Sequence, residues 1–232
     1  MECGHSNLCL LLGVRLSHRV TLAVSLLGAL MLIIGTYFLQ KSWTDFSPVK
    51  QTMSSLAAIG APTRHQMTIL IVVVGLCLII AALSLKSPAK PGRWLLGAAG
   101  TGALGTAAFP VPAISANSTI HTFMAGVVLV SMCLWPMGAH HYNQSGHWPV
   151  SLRTAIAVTV TMALTGIVFL INWLQGSPIM GLLERVLLSF QLLCFIVLAH
   201  RSHQAQSPET LQPATPNLEE SRVEVSTTNL MH

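Results

Sequence analysis

Charged residues are scarce in this sequence. Only 8% of its 232 residues are Asp, Glu, Lys or Arg, whereas 52% are hydrophobic. A soluble domain usually carries about a quarter charged residues, so this chain has too few to cover a water-facing surface. Lipid, by contrast, solvates apolar side chains without penalty. The composition therefore excludes an ordinary soluble domain and indicates an integral membrane protein.

Several kinds of motif are missing as well. The sequence has no run of Lys or Arg and no basic stripe interleaved with aromatic residues, so its net charge of +5 does not indicate a nucleic-acid partner. Its five cysteines show no CxxC or Cys/His spacing that is typical of metal sites. We therefore expect no nucleic-acid partner, no metal and no other cofactor.

Six apolar runs dominate what is present. Most of them approach the ~20 residues that an α-helix needs to cross the hydrocarbon core of a bilayer. The third run, WLLGAAGTGALGTAAF, is rich in Gly and Ala, which let helices pack closely in lipid, so we expect it to be central. The sequence thus predicts an all-α polytopic membrane protein, a bundle of six transmembrane helices. The runs cover residues 20–39, 67–85, 94–109, 119–139, 154–174 and 182–199.

The remaining segments predict the domain organisation and the orientation. Residues 1–19 form a short lead, residues 20–200 the membrane domain, and residues 201–232 a tail that is polar, without an apolar period and therefore disordered. With the N-terminus inside, seven Lys and Arg lie inside and four outside, which favours both termini in the cytoplasm. The inside set is Arg15, Arg19, Lys86, Lys90, Arg93, Arg153 and Arg201, and the outside set is Lys41, Lys50, Arg64 and Arg185. We predict a multi-pass protein of the cell membrane.

Polar residues collect in the outer half of this topology. The first outside loop is long, and its residues 48–59 are predicted to form a short helix with Ser47 as N-cap and Pro48 at its first position. Ionisable groups at membrane depth are costly, so they usually face a bundle interior. We therefore predict an outer-face pocket. Its candidate residues are Ser54, Ser55, His65, His121, Asn172, Glu184 and Arg185.

Two functions compete for this pocket. The first is non-enzymatic: membrane lipids surround the protein, and the pocket binds a lipid or a small molecule. The alternative is an intramembrane, lipid-directed hydrolase with Ser54 or Ser55 as nucleophile, His121 as base and Glu184 as the group that orients it. The sequence has these residue types but no G-x-S-x-G motif. A hydrogen bond between a serine hydroxyl and His121 would favour the enzyme.

The histidines leave two further alternatives open. A carrier with two b-type haems would use histidine ligands at both faces of the membrane. These ligands would be His65 or His121 outside and His140, His141 or His200 inside. A zinc site could be built from His65, His121 and Glu184, although no HExxH motif supports it.

Three stretches of the chain resemble a known family. They are FSPVKQTMSSLAA, GTAAFPVPAISANSTIHTFMA and GLLERVLL. The first is similar to an S-P-x-x-x-T-x-S-x-L element, the second to an F-P turn followed by a histidine that opens the fourth helix, and the third to a G-L-x-x-R opening of the last helix. In this order around six apolar runs they resemble the bacterial family catalogued as domain of unknown function 998.

The resemblance covers about residues 20–200 and implies a six-helix integral membrane protein, distantly similar to Frag/DRAM-like proteins. The matching positions are Ser47, Pro48, Thr52, Ser54, Pro110, His121, Gly181 and Arg185. Many relatives carry an acidic residue after the F-P element and a polar residue after the histidine, whereas this chain has Val111-Pro112 and Thr122-Phe123. The difference argues against an acid–histidine pair. The family has no established activity, so the resemblance implies fold and location only.

Overall fold

All regular structure in the computed structural model is helical within the residues that it describes, which are 18–85, 89–114, 116, 118–140 and 151–204. Helix α1 consists of His18–Leu30, a π-helical turn at Met31–Gly35, and Thr36–Ser42. A short 3-10 helix, Met53–Ala57, follows it. The later helices are α2 (Arg64–Ser84), α3 (Lys90–Ala108), α4 (Thr119–Ala139), α5 (Leu152–Leu174) and α6 (Met180–Gln204).

Among the residues that the structure describes, five helical segments are long and apolar enough to cross a membrane. They are Val20–Ser42, Arg64–Ser84, Thr119–Ala139, Leu152–Leu174 and Met180–Leu198. The predicted all-α, multi-pass fold is confirmed at this level. Helix α3 is not among the five, so the count of six crossings stays a prediction.

The outer surface of α5 shows why these helices need lipid. Its side chains at Ile156, Val160, Leu164, Ile167 and Ile171 recur at helical spacing and are each between 43% and 58% exposed. A contiguous apolar surface of this kind is rare on soluble monomers. In a bilayer the same surface is solvated by acyl chains, so this face of α5 fits a position against lipid.

Helix α3 packs between α2 and α4, as the small residues of the third apolar run predict. A Cβ atom added to Gly100 would lie 2.7 Å from the carbonyl oxygen of Gly75 in α2. On the other side, a Cβ atom at Gly102 would lie 2.9 Å from the carbonyl oxygen of Met124 in α4. Glycine is required at these positions because the backbones approach each other too closely for any side chain.

Two core clusters define the two ends of the bundle. One combines Leu85 and Ala139, at the ends of α2 and α4, with Ala155 near the start of α5 and Leu198 late in α6. The other, at the opposite end, packs residues of the loop after α1 against α2 and includes Phe46. Successive helices are therefore antiparallel.

The two ends also differ in charge. We call the first the basic end, because Lys90, Arg93, Arg153 and Arg201 lie there and no Asp or Glu does among the residues that the structure describes. The second is the loop end, which holds both described carboxylates, Asp45 and Glu184.

The loop between α1 and α2 does not form the helix predicted over residues 48–59. Ser47 instead starts a turn, in which its carbonyl oxygen accepts hydrogen bonds from the N–H groups of Lys50 and Gln51, at 3.2 and 2.8 Å. Only the five-residue 3-10 helix follows. The prediction was wrong because α6 binds the backbone groups that a helix would pair internally: Leu182 N–H donates to Val49 O at 3.1 Å.

Candidate functional site

The start of α6 is bonded to the first loop through two adjacent charged residues. Glu184 Oε2 accepts a hydrogen bond from the backbone N–H of Met53 at 2.5 Å. Arg185 Nη1 donates to the carbonyl oxygens of Gln51, at 2.9 Å, and Gly181, at 2.7 Å. Its guanidinium also lies 5.6 Å from the centre of the Phe46 ring. These contacts hold the loop against α6.

His121 occupies the first turn of α4 and is only 5% exposed. The side chain of Ser118 caps this helix by accepting from the His121 N–H. The His121 Nδ1 atom lies 2.9 Å from the carbonyl oxygen of Phe109, the residue that follows α3. A carbonyl oxygen can only accept, so Nδ1 carries the proton. In the neutral ring, Nε2 is then left as an acceptor.

The two candidate serines lie in the 3-10 helix beside Thr52. Thr52 Oγ1 is 2.8 Å from Ser54 Oγ and 3.3 Å from Ser55 Oγ. Ser55 Oγ also donates to the carbonyl oxygen of Ile114 in the second loop, at 3.4 Å. Both serine hydroxyls thus have hydrogen-bond partners at the loop end. Among the residues that the structure describes, neither hydroxyl is hydrogen-bonded to the ring of His121.

These groups surround one cavity at the loop end, of about 220 Å³, which we call the loop-end cavity. Ser54, Ser55, His121 and Glu184 all line it, although three separate segments of the chain supply them. Further hydroxyls come from Thr52 and Thr122. The rest of the wall is largely apolar and includes Val111, Ile114, Leu129, Phe169, Leu170, Trp173 and Met180.

Three predicted pocket residues do not line this cavity. His65 is exposed at the start of α2. Asn172 Nδ2 donates to the carbonyl oxygen of Val168, one turn earlier in α5, at 2.9 Å. Arg185 borders a different cavity, of about 210 Å³, which α1 and α6 line. Adjacent residues on an α-helix point about 100° apart, which separates Arg185 from Glu184.

Other lining residues were missed by the sequence analysis. On α4, Thr122, Gly126 and Leu129 are spaced at i, i+4 and i+7 and form one wall. The spacing was visible in the sequence, but the rotation of α4 was not. Trp173, beside the predicted Asn172, lines the cavity from α5.

The described residues do not bring together the ligands of the metal alternative. No group of three or more His, Cys, Asp or Glu side chains occurs among them that could hold a metal ion. His121 and Glu184 share the cavity, but His65 does not. Of the proposed inner haem ligands, His140 caps the end of α4 and His141 lies outside the described residues.

Comparison with known proteins identifies a family. The model of the family described as "Protein of unknown function (DUF998)" matches residues 26–201, well over half of the chain. Comparison with curated proteins gives no match, and neither does comparison with solved structures. The matched region contains the three stretches that carry the resemblance and the whole loop-end cavity. The chain therefore belongs to the DUF998 family of proteins of unknown function.

Proposed function

We propose that this protein crosses the cell membrane six times, keeps both termini in the cytoplasm, and binds a lipid head or a similar small molecule in the loop-end cavity. The binding is non-enzymatic. The observation that carries this proposal is the convergence of Ser55, His121 and Glu184, from three distant segments, on one cavity with an otherwise largely apolar wall.

The sixth crossing is α3. Its 19 residues extend about 28 Å at 1.5 Å per residue, close to the ~30 Å hydrocarbon core. It starts at the basic end, where Ala89 N–H donates to Ala139 O at 3.1 Å. It ends at the loop end, where Phe109 meets His121. Its low hydropathy suits a helix whose neighbours α2 and α4 shield much of it from lipid.

The orientation rests on the distribution of Lys and Arg. Cytoplasmic loops carry an excess of these residues. Of the eleven Lys and Arg up to Arg201, seven lie in segments that this topology assigns to the basic end and four in segments that it assigns to the loop end. The basic end is therefore assigned to the cytoplasm and the loop-end cavity to the outer face.

The chemistry of the cavity limits the ligand that it fits. His121 Nε2 and the carboxyl oxygens of Glu184 offer acceptors, so they suit a ligand group that donates hydrogen bonds, such as a hydroxyl or an amine. Aliphatic and aromatic side chains border these groups and suit an acyl chain. A volume of about 220 Å³ is below the ~300–1,000 Å³ of drug-sized pockets, so it suits a small head rather than a whole phospholipid.

The hydrolase remains a second candidate because of the His121 tautomer. The Phe109 carbonyl holds the proton on Nδ1 and leaves Nε2 as a base, which serine hydrolysis requires. In that reaction Ser54 or Ser55 would turn from Thr52 towards Nε2. Labelling by a fluorophosphonate probe that is lost in His121→Ala and in one of the serine-to-alanine variants would favour this candidate.

The ligand-binding proposal is tested by filling the cavity. A Cβ atom at Gly126 meets nothing within 4 Å, so a leucine there would extend into the cavity without a backbone clash. We expect the detergent-purified wild type to retain a defined lipid or small molecule in native mass spectrometry. Gly126→Leu and His121→Ala should lose that species.

Gly97→Leu is the matched control. Gly97 is also a helical glycine whose Cβ position is open, with its nearest neighbour 4.0 Å away, but it lies near the basic end. It should retain the species that Gly126→Leu loses. An empty wild-type protein, or equal retention in all variants, would contradict ligand binding in this cavity.

A further inference from the structure

A second concave surface lies on the outside of the bundle near the basic end. Helices α2, α3 and α4 form its walls and floor, and its volume is about 790 Å³. We call it the basic-end groove. Ile79 and Leu83 line one side, Met124 and Val127 line the other, and Gly97 and Ala98 lie in the floor. The small floor residues keep α3 recessed between its two neighbours.

The groove has the length of one acyl chain in a leaflet. Its lining on α3 extends from Lys90 to Gly102, and the twelve steps between these residues span about 18 Å along the helix. One leaflet of the ~30 Å hydrocarbon core is about 15 Å thick. The groove therefore covers the distance from the head-group level to the middle of the bilayer.

Both cationic side chains of the groove lie at the end of the groove that is nearest the basic end of the bundle. Lys90 is exposed. Arg93 Nε donates to the carbonyl oxygen of Ala82 at 3.0 Å, and Nη2 to that of Leu83 at 3.4 Å, which fixes the guanidinium beside the end of α2. The two carboxylates of the described residues, Asp45 and Glu184, belong to the loop end. Neither cation therefore has a described acidic partner.

Trp94 adds an interfacial anchor at the same level. It is 79% exposed, although its large ring would be expected to be buried in a soluble core. Tryptophan is enriched where the hydrocarbon meets the head groups, because the indole has an apolar body and one N–H donor. Trp94 follows Arg93 directly in the chain. It therefore places this end of the groove at the level of the lipid phosphate groups.

We propose that the basic-end groove binds an anionic phospholipid, with its phosphate at Lys90 and Arg93 and one acyl chain along Gly97 and Ala98. A second copy of the chain fits less well. The Gly97-x-x-x-Thr101 spacing suits helix pairing, but a two-fold parallel pair would bring Lys90 and Arg93 close to the same cations of its partner.

The test compares an anionic lipid with a zwitterionic one. The purified protein is titrated with phosphatidylglycerol or phosphatidylcholine of identical acyl chains, and bound lipids are counted by native mass spectrometry. We expect wild type to prefer phosphatidylglycerol. Lys90→Gln should weaken its binding about fivefold, as expected for one cation near a lipid surface, and Gly97→Leu should abolish the preference by filling the groove.

Two controls separate this site from general charge effects and from the loop-end cavity. Arg153→Gln removes an exposed cation from the same end, outside the groove, and should leave the preference unchanged. The glycerol hydroxyls of phosphatidylglycerol also suit the acceptors of the loop-end cavity, so the titration is repeated in Gly126→Leu, where that cavity is filled and the preference due to the groove should persist. Equal binding of both lipids by wild type would overturn the proposal. So would a dimer that Gly97→Leu converts to monomer with lipid preference intact, because a second copy would then occupy the groove. Lys90 is a surface residue, so its variant tests the charge even if Gly97→Leu fails to fold.

Discussion

At the residue scale, the adjacent residues Glu184 and Arg185 of α6 contact different parts of the molecule. Glu184 points to the loop-end cavity and holds the Met53 N–H, whereas Arg185 holds the Gln51 carbonyl and covers Phe46. Sequence reasoning assigned both to one pocket because both are ionisable and lie near the same membrane face. The contacts instead make Arg185 a residue that fastens the first loop.

Arg185→Ala should therefore destabilise the protein more than Arg153→Ala. The substitution removes the hydrogen bonds to Gln51 O and Gly181 O, and leaves one buried carbonyl without its charged donor. A hydrogen bond to a charged group contributes about 1.5–3 kcal/mol, which corresponds to a fall in melting temperature of about 3–12 °C. Arg153 is exposed at the start of α5 and should have little effect. Thermal unfolding in detergent measures both, and equal shifts would contradict the fastening role.

The candidate site was partly predictable from the sequence. Ser54, Ser55, His121 and Glu184 were predicted to share a pocket, and they line one cavity, because polar residues are conspicuous in an apolar chain and lie at the ends of apolar runs. His65, Asn172 and Arg185 met the same criterion and yet lie elsewhere. What separates the two groups is the rotation of each helix about its axis, and tertiary packing sets that rotation.

At the scale of elements, α3 has one face on which glycine is required and one face on which it is not. Gly100 faces the backbone of α2, while Gly97 faces the open groove. The sequence shows only a run of small residues, and it does not indicate which of them pack against a helix. The first loop was less predictable still, because its backbone bonds to α6, more than 130 residues further along the chain.

Gly100→Ala should thus lower the stability, whereas Gly97→Ala should leave it equal or raise it. Both replace glycine by alanine within one helix, so the gain in helix propensity, about 1 kcal/mol, is shared. At Gly100 the new Cβ would overlap Gly75 O and Ile79 Cγ1, both at 2.7 Å, and such overpacking costs about 1–3 kcal/mol. We expect a lower melting temperature for Gly100→Ala and an equal or higher one for Gly97→Ala. Parallel shifts would mean that α2 and α3 are not in close contact.

At the scale of the whole molecule, composition and apolar runs were sufficient to predict an all-α, multi-pass protein, since runs of about 20 apolar residues have the length of a crossing helix, which satisfies its own backbone hydrogen bonds in lipid. The number of crossings was harder to predict. Helix α3 is made of small residues, so its mean hydropathy is low even though it packs closely between α2 and α4. Its two ends nevertheless lie at opposite ends of the molecule, beside Ala139 and His121.

The parity of the crossings gives a direct test of the topology. Six crossings place the two termini on the same side of the membrane, whereas five place them on opposite sides. A fluorescent protein that folds only in the cytoplasm and alkaline phosphatase, which is active only outside it, are each fused to the N-terminus and to the C-terminus. We expect fluorescence and no phosphatase activity at both termini. Phosphatase inserted after Gly60, in the exposed turn before α2, should be active, because Gly60 belongs to the loop end.

Opposite signals at the two termini would mean that α3 does not cross, and the groove on it would then lie outside the hydrocarbon core. The same signal at both termini, but reversed, would keep six crossings and place the loop-end cavity in the cytoplasm.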